Sequence, residues 1–124
     1  MGAKTIRVET VAQAYLELLR ERGIEYVFGN ANTSLVDAFA RLAARRSRSP
    51  RPVMVAHEYP AVAMAHGYAL VTGRPQVVMV HSTVGTANGA GAIINAARSH
   101  TPILFTAARS PIAEEPGSPG ARDI

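Results

Sequence analysis

The stretch Val53-Met54-Val55-Ala56-His57-Glu58-Tyr59-Pro60 contains an apolar run, followed closely by an acidic residue and a proline. The run has the β-branched residues of a buried strand. A helix can begin at Pro60, because the first N–H groups of a helix have no intrahelical partner. Glu58 is therefore predicted at the carboxyl end of a strand, the edge where open α/β sheets bind ligands. Two interpretations stay open: a chemical role at that edge, or an acidic residue stabilised by the helix dipole.

Strand-like segments recur along the chain and are separated by helical ones. The predicted strands are Ile24 to Phe28, Val53 to Val55, Gln76 to Val80 and Ile103 to Thr106. Strands that alternate with helices imply right-handed crossovers and a parallel sheet covered on both faces. The prediction is a three-layer α/β sandwich over residues 1–109. Residues 110–124, which are rich in proline and glycine, are predicted to be a flexible tail or the start of a missing segment.

The helical segments are recognised by their apolar spacing and their end signals. Thr10 and Gln13 have the spacing of a capping box, and Gly23 is a natural stop. Apolar stripes are predicted at Val8, Val11, Ala12, Tyr15, Leu18 and Leu19, and then at Leu35, Ala38, Phe39 and Leu42. An Ala-rich helix is predicted from Pro60 to Val71, in which Gly67 indicates close packing, and another is predicted to end near Ser99.

Composition excludes several classes of protein. The 124 residues contain no cysteine, which excludes disulfides and thiolate metal sites and fits a reducing cytoplasm. No apolar run is long enough to span a membrane. The net charge of +4 comes largely from arginines between Arg41 and Arg51. These favour a solvated helix end over a nucleic-acid surface, because no aromatic residues are interleaved with them.

Polar segments follow the first three predicted strands, at Gly29–Ser34, His57–Tyr59 and His81–Asn88. Because the carboxyl ends of parallel strands share one edge, these segments are expected to converge there. The glycine-rich segment Gly85–Gly91 opens a helix, so it could hold an anion or simply allow close helix packing. The histidines lack a zinc-binding spacing, and no metal site is expected in this chain.

Several ordered motifs together resemble a known family. They are Val27-Phe28-Gly29-Asn30, Ala56-His57-Glu58, Ala65-His66-Gly67-Tyr68-Ala69, Gly85-Thr86-Ala87-Asn88 with Asn95-Ala96, and Ser99-His100-Thr101-Pro102-Ile103-Leu104. From about Ile6 to Ser110 the chain resembles the N-terminal pyrimidine-binding (PYR) domain of thiamine-diphosphate-dependent enzymes. Acetolactate synthase, pyruvate oxidase and benzoylformate decarboxylase belong to this family. The pair His81-Ser82 is most similar to the benzoylformate decarboxylase branch.

The resemblance implies half of the active site of a 2-keto acid decarboxylase or carboligase. Glu58 would be catalytic by hydrogen-bonding the aminopyrimidine ring of thiamine diphosphate and stabilising its imino tautomer. A raised pKa in a dry pocket would let this carboxyl share a proton with a ring nitrogen. Gly85, Thr86 and Asn88 would also bind the cofactor. The resemblance further implies that His81 handles protons near the substrate.

The resemblance places substrate contacts in the loop after the first strand, at Asn32 and Thr33. The family's usual Pro-Gly is replaced there by Ala31-Asn32. Family members hold the diphosphate and Mg²⁺ in another domain through a Gly-Asp-Gly motif, which this sequence lacks. The implied partners are that domain, in the same or another subunit of a dimer or tetramer, and a 2-keto acid. The chain alone is expected to be inactive.

Two alternatives from other classes stay open. One is an inactive fragment or interaction module that dimerises through the small-residue faces of Ala61 to Ala69 and Gly85 to Ala97. The other is a nucleic-acid binder that uses the arginine run, for which steeply salt-dependent binding would be diagnostic.

Overall fold

The computed structural model describes residues 5–30 and 33–109. Helices and strands alternate along this part of the chain. In order they are α1 (Val11–Glu21), β1 (Tyr26–Gly29), α2 (Thr33–Ala44), β2 (Arg51–Met54), α3 (Glu58–Thr72), β3 (Val77–His81), α4 (Ser82–Arg98) and β4 (Leu104–Ala108). The predicted tail, residues 110–124, lies outside the described residues.

The four strands form one parallel sheet in the order β2-β1-β3-β4. Phe28 of β1 is paired with Val53 on one side and with Val78 on the other. The predicted parallel α/β architecture is confirmed. The strand limits differ from prediction by one or two residues. β2 starts two residues early, at Arg51, because the N–H of Arg51 pairs with the carbonyl of Glu25 at 2.8 Å.

Side chains that alternate along β1 and β3 divide the core between the two faces of the sheet. Val27, Val77 and Met79 pack with α1 and α2. Phe28, Val78 and Val80 pack with α3 and α4. The sheet is thus covered on both faces, and its carboxyl edge carries the starts of α3 and α4.

Helix α1 begins with the predicted capping pair and buries only part of the predicted stripe. The N–H of Gln13 donates to Oγ1 of Thr10 at 3.2 Å, and the Gln13 side chain accepts from the N–H of Glu9 at 2.9 Å. Leu16 and Leu19 are buried, whereas Val11 and Leu18 are exposed. The predicted stripe is confirmed at Leu19, and Ala12 and Tyr15 pack against the core partly buried. It was wrong at Val8, Val11 and Leu18, which are exposed because the face that meets the sheet is centred on Leu16. The stripe predicted for α2 is confirmed, since all of its members are buried.

Helix α3 starts two residues earlier than predicted, at Glu58. His57 caps it, with Nδ1 accepting from the N–H of Tyr59 at 3.2 Å. Pro60 is therefore the third helical residue, where its missing N–H is still not needed. A β-carbon on Gly67 would meet no atom within 4 Å, so the close packing predicted for this glycine was wrong.

Small residues on α4 do allow close helix packing. A β-carbon on Gly89 would lie 3.2 Å from the ring of Phe105, and one on Gly91 would lie 3.3 Å from the ring of Tyr59. These glycines let α4 approach both the sheet and α3. Within the part of the chain that the structure describes, no helix is long and apolar enough to cross a membrane.

The arginine run has structural partners. Arg41 pairs with Asp37 one turn earlier on α2, and Arg45 pairs with Glu9, each at 2.7 Å. The guanidinium of Arg51 lies 5.2 Å from the centre of the Tyr26 ring. These contacts favour the predicted solvated helix end over a nucleic-acid surface.

Candidate functional site

The carboxylate of Glu58 is the centre of a polar cluster at the carboxyl edge of the sheet. Glu58 is the first residue of α3 and is only 9% exposed. Its Oε2 accepts from the amide nitrogen of Asn88 at 3.0 Å, and its Oε1 accepts from the amide nitrogen of Asn30 at 3.1 Å. The three residues come from α3, α4 and the end of β1. The sheet order thus brings together side chains that are far apart in the sequence.

The pKa of Glu58 is shifted in the direction opposite to the prediction. The amide of Asn88, followed by the amide of Asn30 and a backbone N–H, lowers the pKa of Glu58 below its ordinary value. Burial opposes this by raising the pKa, and the nearby His57 lowers it slightly further. The predicted raised pKa was wrong, because donors aimed at a carboxylate stabilise its charged form more than burial destabilises it.

Asn30 was not predicted as a site residue. It follows Gly29 at the end of β1, and its amide nitrogen is committed to Glu58. Its Oδ1 is buried and has no hydrogen-bond partner among the described residues. A buried polar atom without a partner is uncommon in folded proteins. The available signal was its position, since a polar residue directly after a buried strand lies at the binding edge.

Gly85 and Thr86, at the start of α4, contribute in different ways. A β-carbon on Gly85 would lie 3.2 Å from Oε1 of Glu58, so the absence of a side chain lets α4 start beside the carboxylate. The hydroxyl of Thr86 donates to the backbone carbonyl of Ser82 at 2.8 Å. Its single proton is therefore already used within the helix.

The remaining predicted residues are less closely connected to Glu58. His81 is exposed at the end of β3, where it is paired in register with Ala108. The described hydrogen bonds include none between His81 and Glu58. Thr33 is exposed at the start of α2, and Asn32 lies outside the described residues.

An open cavity of about 650 Å³ lies beside this cluster, between the first turns of α4 and the end of β4. Ser82, Thr86 and Arg109 are in its wall, whereas Glu58 is not. The Glu58 cluster and the cavity therefore both border α4, but the carboxylate does not line the cavity. In residues 5–30 and 33–109, no three His, Cys, Asp or Glu side chains are grouped so that they could hold a metal ion.

Comparison with known proteins relates this arrangement to a family. Residues 9–122 match the family described as "Thiamine pyrophosphate enzyme, N-terminal TPP binding domain". Benzoylformate decarboxylase of Pseudomonas aeruginosa is 38% identical over 100 residues, which are 81% of this chain and 18% of that protein. The acetolactate synthase large subunit of Haemophilus influenzae is 32% identical over 94 residues, 76% of this chain and 16% of that protein.

The fold agrees with these sequence relationships. The thiamine diphosphate-dependent 4-hydroxybenzoylformate decarboxylase of Rhodococcus jostii RHA1 superposes with a TM-score of 0.69 at 35% identity. The superposition covers 82% of this chain and 19% of that one, so the chain spans about a fifth of the length of its structural relative. The predicted family and fold are confirmed, and the interaction-module alternative gains no support. The chain belongs to the family of N-terminal thiamine-pyrophosphate-binding domains of thiamine-pyrophosphate enzymes.

Proposed function

We propose that this chain is the pyrimidine-binding half of a thiamine-diphosphate-dependent 2-keto acid decarboxylase or carboligase. The protein would be similar in activity to benzoylformate decarboxylase or acetolactate synthase. The observation that carries the proposal is the buried carboxylate of Glu58, held by Asn30 and Asn88 at the carboxyl edge of the sheet.

The donors and acceptors of this cluster fit an aminopyrimidine ring. Such a ring offers an exocyclic amine as donor and ring nitrogens as acceptors. The carboxylate of Glu58 has about four acceptor positions, of which the two asparagine amides use one on each oxygen. The unpartnered Oδ1 of Asn30 is a second acceptor in the same place. Both residues can therefore receive N–H groups from a ligand without losing their mutual contact.

Glu58 is the proposed catalytic residue, and its protonation is the main requirement. The asparagine amides favour the carboxylate when the ring is absent. A ring nitrogen beside one carboxylate oxygen would favour a shared proton instead, because it provides an acceptor for the protonated form. The cofactor itself supplies the carbanion stabilisation needed for decarboxylation. The contribution of Glu58 is to hold and move one proton at a ring nitrogen.

The other proposed contacts surround this centre. Asn88, Gly85 and Thr86 would line the cofactor's binding place, with Gly85 leaving room at the start of α4. His81, Thr33 and Asn32 are proposed to contact the 2-keto acid, with His81 handling protons there. We propose that Mg²⁺ and the diphosphate are held by another domain, in a cytoplasmic dimer or tetramer, and that this chain alone is inactive.

Ligand titration of the 124-residue chain, followed by NMR, tests the proposal. Thiamine diphosphate and thiamine should both shift the amide signals of Asn30 and Asn88, whereas pyrophosphate should not, because the pyrimidine ring is what this chain binds. The variant Glu58→Gln should lose at least 80% of this response, since it replaces the carboxylate by an amide.

Glu17→Gln is the matched control, because it makes the same chemical change on α1 and should leave the response intact. Equal responses of Glu58→Gln and the unaltered chain would contradict the proposal. So would a response to pyrophosphate equal to the response to thiamine.

A further inference from the structure

The chain changes from strand to helix at His81 without any connecting residue. β3 ends at His81 and α4 begins at Ser82. The register with Ala108 holds His81 in the sheet, so the change of direction falls on Ser82. Ser82 accordingly has a φ of 47°, in the left-handed region that is unfavourable for residues with a β-carbon.

Contacts from both sides hold this corner in place. The hydroxyl of Thr86 donates to the carbonyl of Ser82 at 2.8 Å and closes the first turn of α4. A β-carbon on Gly85 would lie 3.0 Å from Cβ of Val80, so the helix start is packed directly on the strand end. An unfavourable backbone conformation persists only where the surrounding structure enforces it.

His57 and His81 both precede a helix that follows a strand, but they are used differently. Each is the N-cap of the helix that follows it. Nδ1 of His57 accepts from the N–H of Tyr59 at 3.2 Å, whereas His81 makes no side-chain cap hydrogen bond. His81 is exposed, and its imidazole does not cap the first turn of α4. The β3–α4 corner differs from the β2–α3 corner in having no connecting residue and in the left-handed backbone of Ser82.

We propose that Thr86 is a positioning residue, whose hydroxyl bond to the carbonyl of Ser82 fixes the backbone at the β3–α4 corner so that the His81 side chain has one orientation and stays free of the helix cap. The chemical purpose of that orientation rests on the proposed function, in which His81 handles protons near the substrate. A fixed imidazole is valuable there, because proton transfer needs a defined geometry. Thr86 would then act through the corner it closes and through its hydrogen bond to Ser82.

NMR of the 124-residue chain tests this without cofactor or substrate. Side-chain coupling constants should show a single χ1 rotamer of His81 in the unaltered chain. Thr86→Val removes the hydroxyl at nearly constant shape and should average the His81 couplings and weaken its ring NOEs by at least half, while His57 and His100 stay unchanged. Ser82→Gly keeps the carbonyl that accepts this bond and relieves the strained φ, so it should retain the single rotamer.

Thr86→Ser keeps a hydroxyl and should retain the single rotamer of His81. Averaged couplings in the unaltered chain would overturn the proposal, as would unchanged His81 couplings in Thr86→Val or a Thr86→Ser variant that behaves like Thr86→Val. If Thr86→Val alone does not fold, the double variant Thr86→Val with Ser82→Gly keeps the test decisive, because glycine adopts this φ readily. Since no ligand is used, failure here is separate from failure of the thiamine titration.

Discussion

Gly85 lies beside the carboxylate of Glu58 where α4 starts, with no room for a side chain between them. A β-carbon on Gly85 would lie 3.2 Å from Oε1 of Glu58 and 3.0 Å from Cβ of Val80. Both distances are shorter than ordinary van der Waals separations between such atoms. The carboxylate can therefore sit beside α4 only because position 85 has no side chain, and the same absence lets Asn88, one turn later, reach Oε2.

Gly85→Ala should destabilise the chain although alanine is the better helix former. The helix preference of alanine over glycine is worth about 1 kcal/mol, whereas an extra methyl group in a packed place costs about 1–3 kcal/mol. We expect a net loss of about 1 kcal/mol in the free energy of unfolding, measured by urea denaturation. The Nδ2 signals of Asn88 should shift as well, because Glu58 must move.

Gly67→Ala is the matched control for that prediction. Gly67 is also helical, but a β-carbon there would meet no atom within 4 Å. Only the helix preference of alanine over glycine changes the stability here, so the free energy of unfolding of this variant should rise by about 0.5–1 kcal/mol. If Gly85→Ala were stabilised as much as Gly67→Ala, the close contact between Gly85 and Glu58 would not exist in solution.

Asn88→Asp should raise the pKa of Glu58. The substitution removes the amide donor to Oε2 and places a second negative charge beside the carboxylate, and both changes favour the protonated form. Carboxyl ¹³C signals followed through a pH titration measure the effect.

Asn95→Asp is the control for Asn88→Asp. It adds the same charge on the same helix, but the Asn95 amide donates to the Tyr59 hydroxyl at 3.3 Å and not to Glu58. Equal shifts in both variants would mean that the charge alone, and not the hydrogen bond, sets this pKa.

Much of the architecture could be predicted because its signals are local. The apolar run of β3 and the residues that follow it determine a buried strand and its carboxyl end within a few positions. The place of Glu58 at the binding edge follows from the same local pattern. The stripe on α1 could not be predicted from local signals, because Leu16 and Leu18 are both apolar and only the packing against the sheet decides which of them is buried.

The geometry of the site depends on contacts that the sequence does not encode locally. Asn30 and Asn88 lie 28 and 30 positions from Glu58, and the sheet order brings them together. Burial of Glu58 was foreseeable from its position, and burial alone would raise its pKa. The two amide donors reverse that effect, so the sign of the pKa shift could be known only once the neighbours of the carboxylate were known.

Glu58→Gln should make the free energy of unfolding depend less on pH in acidic solution. The pKa of Glu58 is lowered in the folded chain from an ordinary value of 4.5. Its contribution to stability is therefore full above about pH 4.5 and is lost as the pH falls through the lower folded pKa. Gln at this position has no charge to lose. It also turns an N–H toward the asparagine amides, so the variant should be less stable at pH 7.

Urea denaturation between pH 7 and pH 3 measures this effect. The difference in unfolding free energy between the unaltered chain and Glu58→Gln should shrink as the solution is acidified. Glu9 and Glu25 have pKa shifts of the same sign, so both proteins should still lose some stability in acid. A difference that stays constant over this range would show that Glu58 has no lowered pKa.

Gly29→Ala should prevent stable folding at the strand end that presents Asn30. Gly29 has a φ of 133°, and a β-carbon there would lie 2.0 Å from the carbonyl oxygen of Met79, its partner in β3. A backbone carbonyl in a sheet cannot move away without breaking its pairing, so we expect a loss of more than about 3 kcal/mol in the free energy of unfolding.

Gly23→Ala is the control that separates backbone strain from collision, because Gly23 has a φ of 77° and a β-carbon there would meet no atom within 4 Å. That control should lose only about 1–2 kcal/mol. Circular dichroism with urea denaturation compares the two, and similar losses would mean that the strand end can open to accept a side chain.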